Sequence, residues 1–235
     1  MTSSQPGPSN PGRIAGLWYL LLTVLGPIRL MYIPSKLFVA DNDAATVSNV
    51  GAHQLLMHIG IIADLFAALV LIFVVLAFYR LFKGVDQHLA VLVIVFGGVM
   101  PALLDFVGVV YDAAAIVAAR GTDFMSAFDP AHRQAIAMLF LHLRQRQNTA
   151  AELLWGVWLL PLALLIYRSH FLPRFLGVWL FVNGLAYVAI FLAGWLAEDY
   201  QAKVFHLSFP LLLGEIALML RLLVRGARPP EIAPA

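Results

Sequence analysis

Leu141-His142-Leu143-Arg144-Gln145-Arg146-Gln147-Asn148-Thr149-Ala150-Ala151-Glu152 runs without a break into Leu153-Leu154-Trp155-Gly156-Val157-Trp158-Leu159-Leu160-Pro161. A strongly polar segment therefore leads directly into one apolar enough to enter a bilayer. The helical pattern reaches back to Asp129-Pro130, an N-cap followed by proline at the first helical position, and forward to Tyr167. Such a helix is roughly 55–60 Å long, about twice the thickness of a hydrocarbon core. Its first half must stand outside the core, lie at the interface or pack within a bundle.

Five further stretches approach the span length of about 20 apolar residues. The six expected spans run from Ile14 to Ile33, Leu55 to Tyr79, Leu89 to Val110, Ala150 to Tyr167, Phe175 to Leu196 and Val204 to Val224. The expected fold is all-α: a six-span transmembrane helical bundle whose fourth span is preceded by a long amphipathic helical extension. Composition agrees, with 62% hydrophobic and 12% charged residues and a mean hydropathy of +0.87, far from a soluble domain. Between spans one and two, Asp41-Asn42-Asp43-Ala44-Ala45-Thr46 predicts a short capped helix. The Pro-, Gly- and Ser-rich residues 1–12 predict a disordered tail, as do residues 227–235 at the other end, leaving 13–226 as one bundle.

Orientation is read from Lys and Arg at the span ends. Arg13, Arg80, Lys83, Arg168, Arg174, Arg221, Arg225 and Arg228 make eight on the side of the termini, against seven on the other: Arg29, Lys36, Arg120, Arg133, Arg144, Arg146 and Lys203. The tight Arg80/Lys83 and Arg168/Arg174 connections carry the most weight, which places both termini in the cytoplasm and the protein in the cell membrane as a multi-pass chain. The net charge of +2 comes from these helix-end residues and is a topology signal, not a nucleic-acid footprint.

Several motifs recur in a definite order. They are Arg13-Ile14-Ala15-Gly16-Leu17-Trp18-Tyr19-Leu20, Tyr32-Ile33-Pro34-Ser35-Lys36-Leu37, Tyr79-Arg80-Leu81-Phe82-Lys83, the Trp155–Pro161 run, Leu172-Pro173-Arg174-Phe175-Leu176-Gly177-Val178 and Gly214-Glu215-Ile216-Ala217-Leu218. In these the chain resembles a bacterial multi-pass membrane family catalogued as domain of unknown function 4386, over nearly everything from Arg13 to Gly226. The resemblance implies a six-span bundle and no particular reaction. One departure is His58, where the family favours arginine.

Carboxylates fall inside four predicted spans: Asp64, Asp105, Glu152 and Glu215. A charge at mid-bilayer costs about 2.5 kcal/mol or more, so such groups turn toward partners or a watery cavity. On the proposed topology Asp64, Asp105 and Glu152 lie in the outer half of their spans, and Glu215, about 16 Å into span six, lies near the midplane. With His142, Arg144, Arg146 and His206 on or near the outer side, these residues define an outward-facing polar funnel ending near Glu215. Arg144 or Arg146 is expected to pair with Asp64 or Asp105 across helices. Trp155 is expected to wall the cavity beside Glu152. Asp105 and Asp112, seven apart, share a helix face. Pro101 and Pro210, shortly before Asp105 and Glu215, each free a carbonyl one turn back.

The absence of cysteine removes disulfides, thiolate metal sites and a catalytic thiol. His-Glu-x-x-His, Gly-x-Ser-x-Gly and the phosphate-binding glycine loops are absent too. No metal site and no cofactor is expected, although His58, His142 and His206 with a carboxylate from separate helices stay open as an alternative. The favoured reading is a protein that binds a lipid-like or amphipathic small molecule in the funnel, with membrane lipid as its partner and no nucleic acid. The alternatives are an intramembrane acid–base enzyme acting on an isoprenoid or lipid, with Glu215 or Asp64 as acid, a proton-coupled carrier, and a structural subunit.

Overall fold

The computed structural model describes residues 10–229. Seven helices carry the chain: α1 (Pro11–Leu37), α2 (Asp43–Ala52), α3 (Gln54–Phe82), α4 (Gln87–Arg120), α5 (Pro130–Arg168), α6 (Arg174–Leu196) and α7 (Glu198–Arg225). A 3-10 turn, Asp123–Ala127, joins α4 to α5, and no strand occurs among the described residues. All but α2 are long and apolar enough to cross a membrane. The protein is an all-α helical bundle and a multi-pass membrane protein. Bulky apolar side chains such as Leu55, Ile62, Leu103, Leu196 and Leu207 stand exposed on these helices, which suits a surface solvated by acyl chains.

Three helices break register ahead of a proline, while α7 runs through Pro210 unbroken. Pro101 has no N–H for the Gly97 carbonyl, and Val95–Val99 takes a π turn just ahead of it. Ile28–Tyr32 does the same ahead of Pro34. In α5 the regular ladder is interrupted at Trp158, three residues before Pro161. Helix starts follow local cap chemistry. Asn42 accepts the Ala45 N–H at 2.9 Å to start α2, as its sequence predicts. Asp129 accepts the His132 N–H at 2.9 Å to start α5. That bond holds the exposed Asp129 carboxyl below the usual carboxylate range.

The chain divides into two compact units. The Arg144 unit comprises residues 22–69 and 101–151. Its apolar core gathers Ile33 and Leu37 of α1, Val47 and Val50 of α2, Met57 of α3, Ala115 and Ile116 of α4, and Ala137, Met138 and Leu141 of α5. The first half of α5 is thus packed, not free. Ala137, Leu141, Arg144 and Ala151 recur at helical spacing on its buried face, while Leu139, His142 and Arg146 are exposed. Gly121, at φ +64°, ends α4, and Arg133 closes the turn by donating to its carbonyl at 3.1 Å.

The Glu215 unit comprises residues up to 21, 70–100 and from 152 onward. Its core is built from Phe78 and Phe82 of α3, Val93 of α4, Trp158, Leu162 and Ile166 of α5, Leu180 of α6 and Leu218 of α7. Backbones meet closely here: a Cβ on Gly156 would lie 2.6 Å from the Gly184 carbonyl oxygen, and one on Gly184 would lie 2.8 Å from that of Gly156. Helix α1 begins at Pro11, so Pro11 and Gly12 are helical and not part of a tail. The Gly12 N–H donates to the Ala227 carbonyl at 3.0 Å, and Ala227 is buried. Residues 1–9 and 230–235 of the two expected tails lie outside the described residues.

Candidate functional site

In the Arg144 unit five ionised side chains from four helices alternate in sign. Arg29 comes from the π turn of α1, Asp64 from α3, Asp105 and Asp112 from α4, and Arg144 from α5. Asp64 stands at the centre. Arg29 pairs with one of its oxygens through Nε, and Arg144 Nη2 lies 2.6 Å from the other. Arg29 Nη2 continues outward to Asp105 at 3.3 Å, and Arg144 Nε to Asp112 at 3.0 Å. Arg144 Nη1 donates to Asn148 Oδ1 at 2.7 Å and to Gln147 Oε1. Asp64 and Arg144 are 5% and 9% exposed, so the network is desolvated, and each charge is tolerated because it touches the opposite one.

Helix geometry sets this up. Asp105 and Asp112 are two turns apart and face the same way. Between them Gly108 gives room for the guanidinium, since a Cβ there would lie 2.5 Å from Arg144 Nη1. Gln147, one turn beyond Arg144, is held by its carbonyl oxygen, and its Nε2 is buried without a partner.

A cavity of about 400 Å³ opens beside the network. Its lining is part polar, from Arg29, Asp64, Asp112, Arg144, Gln145 and Asn148, and part apolar, from Leu30, Ile33, Pro34, Leu37, Phe38, Met57 and Leu141, with Gly60. The volume lies within the range of small-molecule sites.

The Glu215 unit holds a second cluster. Tyr19 donates its hydroxyl to Glu215 Oε2, and the Tyr187 hydroxyl and Asn183 amide also bond to that carboxylate. The Asn183 amide lies 3.4 Å from the Leu212 carbonyl, while its own Oδ1 is buried without a partner. Glu152 accepts from Gln201 at 3.4 Å. Trp155 packs edge-on against Tyr187, ring centroids 5.9 Å apart.

The expected site residues therefore divide. Asp64, Asp105 and Arg144 come together, and Arg144 makes the interhelical pair with Asp64 expected of it or Arg146. Glu215, Glu152 and Trp155 belong to the other unit and its own contacts. His142, Arg146 and His206 are exposed, as is His58. Helical phase decides this for His142 and Arg146, which sit two residues either side of the inward-facing Arg144. Among the described residues no three His, Asp or Glu side chains are grouped to hold an ion. Sequence reasoning missed Arg29, taken as a charge at a span end although it lies inside the predicted first span. It also left out Asp112, whose seven-residue step from Asp105 was the available signal.

No curated protein and no solved structure matches the chain. A family model described as Domain of unknown function (DUF4386) matches residues 14–226, and with nearly all of both units inside that match, the chain belongs to this family.

Proposed function

We propose that the cavity of the Arg144 unit takes up a lipid-like or amphipathic small molecule, with its polar end against the Asp64–Arg144 pair and its apolar part along Ile33, Leu37 and Met57. The observation that carries this reading is that one cavity is lined both by the charged side chains of the network and by a set of apolar ones. A structural ion-pair network needs no adjoining cavity. A purely apolar pocket would need no charges, whose burial is costly. The excess of Lys and Arg on the side of the termini supports a cell-membrane protein with cytoplasmic termini, and with Arg29, Lys36 and Arg133 on the outer side.

Native mass spectrometry of the protein in mild detergent tests the reading. Wild type should retain a discrete bound species. Gly60→Leu should lose it, because a Cβ at Gly60 meets Ile33 at an ordinary 3.5 Å and the rest of the leucine then fills the cavity. Retention of the same species by both proteins would sink the proposal. A second reading, acid–base work at Glu215, rests on two phenol hydroxyls and an amide converging on that carboxylate. An unchanged product profile in Glu215→Gln removes it.

A further inference from the structure

The hydrogen-bonding capacity left over in the network indicates which polar end the cavity accepts. Every nitrogen of the Arg144 guanidinium already has an acceptor: Nε on Asp112, Nη2 on Asp64, and Nη1 on Gln147 and Asn148. Arg29 is engaged through two of its three nitrogens, Nε with Asp64 and Nη2 with Asp105. An anionic head entering here would compete with carboxylates already paired to these guanidiniums and would face Asp64 and Asp112 in the same lining.

The carboxylates are in the opposite condition. An ionised carboxylate offers about four acceptor positions, and Asp112 is joined to Arg144 through Oδ2 alone. Asp64 and Asp112 both line the cavity. Three carboxylates in the network face two guanidiniums, so it carries one negative charge in excess. The cavity lining includes no lysine or histidine to balance that charge. Gln145 and Asn148, also in the lining, are neutral amides that can donate or accept and so leave the charge imbalance as it is. The site thus lacks one positive charge, and its carboxylates keep open acceptor positions, both of which an alkylammonium group meets.

Resting on the ligand-binding reading above, we infer that the polar end is cationic: the ligand is an amphiphile with a primary ammonium head, held between Asp64 and Asp112 with its chain along the apolar side chains. An ammonium brings three donors on a compact charge. It supplies the positive charge that a phosphate would not.

Isothermal titration calorimetry on the protein in lipid nanodiscs tests this at mildly alkaline pH. The probes are a long-chain primary alkylamine, the alkanol and the fatty acid of the same length, and a short-chain amine. The Gly60→Leu variant subtracts simple partitioning into the bilayer. The long-chain amine should bind wild type at least about tenfold more tightly than the alkanol or fatty acid, a modest demand on a close, desolvated charge pair. Asp112→Asn should erase most of that preference, and Asp112→Glu should keep it. The wild-type ranking needs no variant to fold. A fatty acid that binds as well as the amine overturns the inference while leaving an amphiphile site in place, as does a preference that survives Asp112→Asn in folded protein. A short-chain amine that binds as tightly as the long one overturns the amphipathic part and points to a soluble amine. Binding of every probe no better than in Gly60→Leu overturns both the inference and the reading beneath it.

Discussion

Asp64 is the residue on which most depends, because two guanidiniums from different helices share its two oxygens. Asp64→Asn leaves both cations short of a countercharge in a desolvated site. Removing one partner of a buried pair costs about 3–5 kcal/mol, so the variant should show a markedly lower thermal midpoint. A midpoint equal to wild type would mean that the network is hydrated. Gly108→Ala tests the same site by shape, with charge unchanged. Its methyl group would occupy the space of Arg144 Nη1, so the guanidinium must shift away from Asp112. Loss of bound ligand at nearly wild-type helix content is the expected outcome. At this scale the sequence was only partly legible. Intramembrane carboxylates announce themselves by cost, so Asp64 and Asp105 stood out. Arg29 did not, because its partner is 35 residues away and a guanidinium near a span end has an equally good explanation as a topology signal. His142 and Arg146 were drawn in by proximity in sequence, where helical phase turns them outward.

At the scale of the element, the start of α5 shows what local chemistry alone can specify. Asp129-Pro130 was readable as a helix start because the cap and the proline act within one turn, and the structure places the bond from the His132 N–H on Asp129. The Asp129 carboxyl is lowered by that bond. The sign follows: the contribution of the cap is fully present above the unfolded carboxyl value and is lost as pH falls through the lowered folded one. Protection of the first-turn amides of α5, taken relative to their intrinsic exchange rates, should therefore fall on acidification in wild type and stay nearly flat in Asp129→Asn, whose amide oxygen still caps. Equal pH dependence in both would refute the assignment. The π turns ahead of Pro34 and Pro101 were foreseeable only as kinks, because which carbonyls shift register depends on packing. The contact of Gly156 with Gly184 had no sequence signal beyond the glycines themselves. Gly156→Ala must push α5 and α6 apart locally, for about 1–3 kcal/mol of overpacking, measurable as a lower resistance to denaturing detergent.

At the scale of the whole molecule, hydropathy made the six spans and the all-α class legible, because a bilayer admits so few alternatives. It could not show that the candidate residues divide between two units, since that depends on helix phase and on which faces pack. Orientation remains a matter of electrostatics at the helix ends, and reporter fusions should find both termini in the cytoplasm. The central claim is that an alternating network on four helices borders a cavity that an amphiphile occupies. An experimental structure of the protein in native-lipid nanodiscs tests it most directly. The expected result is elongated density along Ile33, Leu37 and Met57 with its polar end between Asp64 and Asp112. Water alone in that space, or a cavity closed by Leu141 and Phe38 with the ion pairs intact, would contradict it.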